Sequence, residues 1–279
     1  MRARTWLNVG LACLVLGLAL FFHLRPKIAE ESFALSTLAP AQVTRIQVDT
    51  PNMSELVLEK GARGWMMTAP FAARTDATQV ERLIALLNAT SKSKLPAGDL
   101  ARYDLDRPKA RVTLNGQAFS FGTINPVTRE QYVATGDAVY LIKLDYLAAL
   151  PTHPANIVSH RLFADDETPV AFAFAGFRVA QADGKWLLQP APERISQDDV
   201  GRWAEQWRLA SSTLTDSYHR APSGEIITVT LSGGQQVLLR VLQAQPELLL
   251  LRTDEQLRYH IPQATARVLL APPAAAEKP

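Results

Sequence analysis

The chain has 279 residues, 47% hydrophobic and 20% charged, enough apolar content to bury sizeable cores. Its 29 basic and 27 acidic residues leave a net charge of +2, and no basic block stands out, which excludes an electrostatic footprint for nucleic acid. The single cysteine, Cys13, excludes an intrachain disulfide and a cysteine metal site.

The first element is the run Trp6 to Leu24, WLNVGLACLVLGLALFFHL, which carries no Asp, Glu, Lys or Arg. At ~1.5 Å per residue, a helix of that length approaches the ~30 Å hydrocarbon core of a bilayer. An uncleaved single transmembrane helix is therefore expected, within an N-terminal segment 1–25. Arg2 and Arg4 before the run nearly balance Arg25 and Lys27 after it. A long C-terminal domain translocates largely regardless of charge, so the N-terminus is expected on the cytoplasmic side. A cleaved signal peptide is the rival reading, but Phe21 to Pro26 offers no small-x-small cleavage site. Gly10, Cys13 and Gly17 share one helical face, and small residues are common in such helices.

Residues 26–42 read as a linker. From Val43 to Asp49 the pattern alternates as in a strand and stops at Pro51. Glu55 to Glu59 and Gly64 to Thr68 give two more strands across a turn at Lys60 to Arg63. Asp76 then caps a helix, with Val80, Leu83, Ile84 and Leu87 on one apolar face. Asn115-Gly116 turns a hairpin of Arg111 to Leu114 and Ala118 to Phe121. Gly136-Asp137 turns another, of Gln131 to Ala134 and Ala138 to Ile142, and Leu144 to Leu150 forms a helical turn before Pro151.

The plan then repeats. Gly184 to Pro190 echoes Gly64 to Pro70, and Ser196 caps a helix whose apolar face is Val200, Trp203, Ala204 and Trp207. Tyr218 to Pro222 echoes Tyr103 to Pro108, Val229 to Gln235 echoes Val112 to Gln117, and Tyr259 to Ile261 echoes Tyr140 to Ile142. The landmarks keep their order at offsets between 115 and 120 residues. That period is far above the ~20–50 residues of solenoid repeats, so a tandem duplication of domain-sized units is expected. The expected fold class is α+β: the transmembrane helix, then two tandem repeats over 43–163 and 164–270, each an antiparallel sheet with one packed amphipathic helix. A Pro-rich, disordered tail closes the chain over 271–279.

The strand end at Trp65 to Pro70, the helix capped by Asp76, the turn Tyr103-Asp104-Leu105-Asp106-Arg107-Pro108 and the strands Gln131-Tyr132-Val133 and Val139-Tyr140-Leu141 resemble a bacterial family called domain of unknown function 4340. The likeness covers roughly residues 43–162 and more weakly the second copy. That family's turn usually reads Tyr-Gly-Leu-x-x-Pro, and here Asp104 stands in place of the glycine. The resemblance implies an anchored protein of the bacterial inner membrane with a periplasmic domain. It also implies an accessory or docking role in an envelope complex, such as an ABC transporter of the gliding-motility type. It carries over no functional residue.

The residues themselves point to no reaction. No HExxH, GxSxG, GxGxxG or Walker-type GK[ST] occurs. His23, His153, His160, His219 and His260 are scattered. Asp104 and Asp106 sit in a turn, and Asp198 and Asp199 at a helix N-terminus, where carboxylates have structural uses. Asp165-Asp166-Glu167 lacks the surrounding ligands of an EF-hand and reads as a solvated linker. Trp65, Trp186, Trp203 and Trp207 suit a carbohydrate groove less well than a core. No catalytic, cofactor-binding or metal-ligating residue is assigned, and no cofactor. The leading reading is a non-enzymatic docking protein with membrane contact through 6–24 and protein partners. A ligand- or peptide-binding module using a cleft between the copies is the alternative, ahead of a glycan-acting enzyme.

Overall fold

The computed structural model describes residues 6, 10–11, 14–21, 31–191 and 195–274. Among the described residues 40% are in strands and 22% in helix. The strands are β1 (Phe33–Ala34), β2 (Arg45–Thr50), β3 (Met53–Gly61), β4 (Gly64–Ala69), β5 (Ala73–Arg74), β6 (Thr90–Ser91), β7 (Lys94–Pro96), β8 (Ala110–Leu114), β9 (Gln117–Ile124), β10 (Gln131–Thr135) and β11 (Ala138–Ile142). They continue as β12 (Pro169–Ala173), β13 (Arg178–Ala182), β14 (Lys185–Gln189), β15 (Leu214–Ser217), β16 (Ile226–Leu231), β17 (Gln236–Gln243), β18 (Leu248–Arg252) and β19 (Leu257–Ile261). The α-helices from residue 31 onward are α1 (Ala77–Ile84), α2 (Asp145–Ala148), α3 (Gln197–Arg208) and α4 (Gln263–Leu270).

Two expectations are corrected. The chain is mostly β-sheet, in three sheets, rather than an α+β chain of helix-packed repeats behind a transmembrane helix. Among the described residues no helix is long and apolar enough to cross a membrane. The single-pass inner-membrane placement, with a cytoplasmic N-terminus and a periplasmic domain, falls with that helix. The remaining residues of the apolar run, Cys13 and His23 among them, lie outside the described residues, as do 22–30 and 275–279.

One sheet has nine strands in the order β5-β4-β3-β2-β8-β9-β10-β11-β7, and another has eight in the order β14-β13-β12-β16-β17-β18-β19-β15. All neighbours are antiparallel. With β5 set aside, each strand of the first order has one counterpart in the second, from β4 and β14 at one edge to β7 and β15 at the other. The first central pair meets at Ile46–Leu114 and the second at Phe172–Val229, all four buried.

Helices bury apolar faces against the core in both lobes. Asp76 accepts from the Gln79 N–H and starts α1, whose Val80 and Leu83 are buried. Ser196 and Asp199 form a capping box on α3, whose Val200, Trp203, Ala204 and Trp207 are buried. Phe172 of β12 meets Trp203 edge-on at 5.3 Å and Trp207 at 5.5 Å. The indole N–H of Trp207 donates to the Leu269 carbonyl, and that of Trp203 to Val268 and Ala271. Helix C-termini leave carbonyls without intrahelical partners, and here the two indoles satisfy those of α4.

A strap enters each lobe. In the first, β1 pairs with β6, and Leu35 N–H donates to the Ala89 carbonyl. In the second, Arg161 bridges to Ser211, and Leu162 N–H donates to the Ala210 carbonyl. The second strap is shared: Thr75 bridges to Val158, Asp76 N–H donates to Ile157 and Ser159 N–H to Arg74. It therefore stitches the lobes together.

The Tyr103 loop crosses β9 so closely that a Cβ on Gly122 would stand 2.0 Å from the Tyr103 carbonyl oxygen. Asp104 within it has φ 56° and ψ 30°, a left-handed conformation that favours glycine. Asp is among the non-glycine residues that tolerate this conformation. Asp104→Gly is expected to leave stability within about 0.5 kcal/mol, whereas Asp104→Val costs about 1–2 kcal/mol. Urea unfolding of both variants checks this, and an undisturbed valine variant would refute it.

Candidate functional site

A cleft of about 740 Å³ opens where the β3–β4 turn of the first lobe meets the second strap and the β18–β19 turn. Its base is a buried charge network. Arg252, the last residue of β18, has only 2% of its side chain exposed. Its Nη1 and Nη2 donate to the two carboxylate oxygens of Glu167, each at 2.6 Å. It also donates to Asp254 and, through Nη1, to the Leu162 carbonyl at 2.9 Å. Burial alone would push the Glu167 carboxyl up, but the hydrogen bonds and charge of Arg252 outweigh it and hold that carboxyl below its usual range.

Arg74 reaches into this network from β5 of the first lobe. Its Nε donates to Glu255 at 2.6 Å, and its Nη2 to the carbonyls of Arg161 and Leu162 and to the Tyr259 hydroxyl at 3.0 Å. Tyr259 in turn donates to Glu255 at 2.8 Å. Burial, then the Glu255 charge, pushes the Tyr259 hydroxyl well above its ordinary value, so it remains a donor. These bonds clamp one lobe to the other.

Comparison of the two sheets shows where the clamp comes from. In the first lobe the residue matching Arg252 is Thr135, whose hydroxyl accepts from Gln117. Gln117 also donates to the Leu35 carbonyl, much as Arg252 does to that of Leu162. The first lobe thus ties its strap with neutral groups. The β10–β11 turn holds two residues, 136–137, and the β18–β19 turn four, 253–256. The longer turn supplies Asp254 and Glu255, the socket for Arg74.

Two ion pairs stand at the rim. Arg63 lies 3.4 Å from Asp166, across the mouth. Arg161 pairs with Asp165. Trp65, Met66 and Phe163 add apolar surface to the lining.

The other residues considered from the sequence are dispersed. His153 is exposed, and its Nδ1 accepts from the Ala155 N–H. His160 lies 3.4 Å from the hydroxyls of Ser212 and Thr215. His219 is exposed, and His260 faces Glu247 at 3.1 Å. Asp104, Asp106 and Asp198 are exposed, and Asp199 caps α3. Trp203 and Trp207 are core, and Trp186 packs against it. Of Asp165, Asp166 and Glu167, read together as a solvated linker, only the first two are exposed. Glu167 is instead the partner of Arg252. Among the described residues no group of three or more His, Cys, Asp or Glu is placed to hold a metal ion.

The model of the family described as Domain of unknown function (DUF4340) matches residues 65–219, more than half of the chain. The chain belongs to this family. No curated protein and no solved structure matches it. The DUF4340 match begins at Trp65 in β4 and ends just beyond β15. It therefore takes in Arg74, the shared strap and Glu167, and stops short of the β18–β19 turn that completes the cleft.

Proposed function

We infer that the protein is a non-catalytic binding module that captures a small ligand in the cleft between its lobes. The observation that carries this reading is the cleft itself, whose volume of about 740 Å³ falls within the ~300–1,000 Å³ typical of ligand sites. It is held open by a network fixed in place before any ligand arrives. A non-catalytic role is supported by the state of its carboxylates. A general acid or base works best with a pKa near the operating pH. Here Glu167 is held in the opposite direction by Arg252, and Glu255 is engaged by Arg74 and Tyr259.

A thermal-shift screen of metabolites and peptides on the full chain tests this, with an Ala164→Trp variant that fills the cleft. A ligand at about 100 times its Kd stabilises by about 2.7 kcal/mol. At least one compound is expected to raise the melting midpoint of the unmodified chain and not of the variant. Shifts that ignore the filled cleft, or none at all, would refute the reading.

Docking onto a protein partner as an accessory subunit is favoured by one feature, a groove of about 570 Å³ between α3 and α4 with Leu209 and Val268 exposed in it. Leu209→Asp should then release a co-purifying partner, and retention of that partner would count against docking at this groove.

A further inference from the structure

The cleft's charges divide by depth, and the division says what kind of ligand suits it; the inference rests on reading the cleft as a ligand site. At the base, Arg252 and Arg74 are saturated by Glu167, Asp254, Glu255 and backbone carbonyls. A ligand ion that displaced one of them would strand a buried charge. The mouth is different. Arg63 of the β3–β4 turn and Asp166 face each other at 3.4 Å, with side chains 73% and 53% exposed. The contact is long and both side chains are largely exposed, so other guanidinium donors and carboxylate lone pairs remain open to a third party. An exposed pair of this kind contributes little to stability and is cheap to part. The lining also carries apolar side chains, Trp65, Met66 and Phe163.

We propose that the cleft takes a zwitterion with an apolar body, an apolar amino acid or a short peptide with free termini. Its carboxylate pairs with Arg63, its ammonium with Asp166, and its apolar part lies against Trp65 and Met66. Such a ligand exchanges one ion pair for two. A ligand bearing a single charge satisfies one member of the Arg63–Asp166 pair and leaves the other without its partner, which is how the site discriminates.

Calorimetric titration of the full chain with the dipeptide Leu-Phe tests the proposal. The N-acetylated, C-amidated and doubly blocked forms and free leucine serve as comparisons. Leu-Phe is expected to bind, and each blocked form to bind about tenfold more weakly or worse. Asp166→Asn should abolish the preference over the acetylated form alone, and Arg63→Gln the preference over the amide alone. Both positions are exposed, so neither variant should lose its fold. Binding of leucine as tight as that of Leu-Phe assigns an amino acid, and tighter binding of Leu-Phe assigns a peptide. Equal binding of the doubly blocked form would overturn the ligand class and leave the cleft reading standing. Absence of binding by both zwitterions would overturn it too, and the thermal-shift screen then decides the cleft reading separately.

Discussion

Arg252→Ala is expected to lower the unfolding free energy by about 3–5 kcal/mol, the usual cost of breaking a buried ion pair from one side. Arg252 is almost wholly buried, and its removal leaves the Glu167 carboxylate and the Leu162 carbonyl without their principal donor. The loss should be smaller when Glu167 is removed as well. A double-mutant cycle of Arg252→Met and Glu167→Leu should therefore show strong coupling, because replacing both partners by apolar groups can be nearly neutral. Acid should narrow the gap between the parent and Arg252→Ala. Glu167 has a folded pKa below its unfolded one, so its contribution is present above the unfolded carboxylate pKa of about 4.3 and is lost as pH falls through the folded value. Arg252→Ala removes the cause of that depression, and the stability profile below pH 5 should flatten. Guanidinium titrations across pH measure both effects. A cost under about 1 kcal/mol would mean that water already reaches the pair.

Trp207→Ala should cost about 3–5 kcal/mol, the range for emptying a large aromatic site in a core. The side chain is fully buried, touches Phe172 and Trp203, and binds the Leu269 carbonyl at 3.0 Å. Trp207→Phe separates the two roles. Phenylalanine retains much of the packing but cannot donate, leaving the Leu269 carbonyl unsatisfied at about 1–3 kcal/mol. That loss should concentrate in α4, seen as faster amide exchange over residues 263–270 with little change in the central strands. Uniform exchange across the lobe would show that the indole hydrogen bond does not fix α4.

These two sites differ in how far the sequence discloses them. Trp203 and Trp207 stand at helical spacing behind a Ser-x-x-Asp cap, and a local period suffices to bury them. Asn115-Gly116 and Gly136-Asp137 likewise mark their hairpins through turn chemistry alone. Arg252 follows four leucines and reads as the polar end of a strand. Its main partner, Glu167, is 85 residues away, in a stretch that looks solvated. No local pattern links the two, because the pairing follows from how the strap lies across the finished sheet. The short edge strands β7 and β15 escape notice for a related reason. Lys94-Leu95-Pro96 and Leu214 to Ser217 are too short or too polar to show a period, and it is the neighbouring strand that makes them strands. The apolar run at the start sets an expectation, from hydropathy over 19 residues, that no helix among the described residues meets.

The glycine crossing also bears on how alike the two lobes are. In the first lobe the glycine is on the strand, Gly122, under the Tyr103 carbonyl. At the equivalent strand position the second lobe carries Val241, and there the glycine is Gly224, two residues before β16, whose added Cβ would stand 1.9 Å from the Val241 carbonyl oxygen. Each lobe therefore keeps a glycine where backbone meets backbone, but at a different point of the chain. A sequence averaged over the two lobes would lose one of these glycines and set a side chain against a carbonyl oxygen.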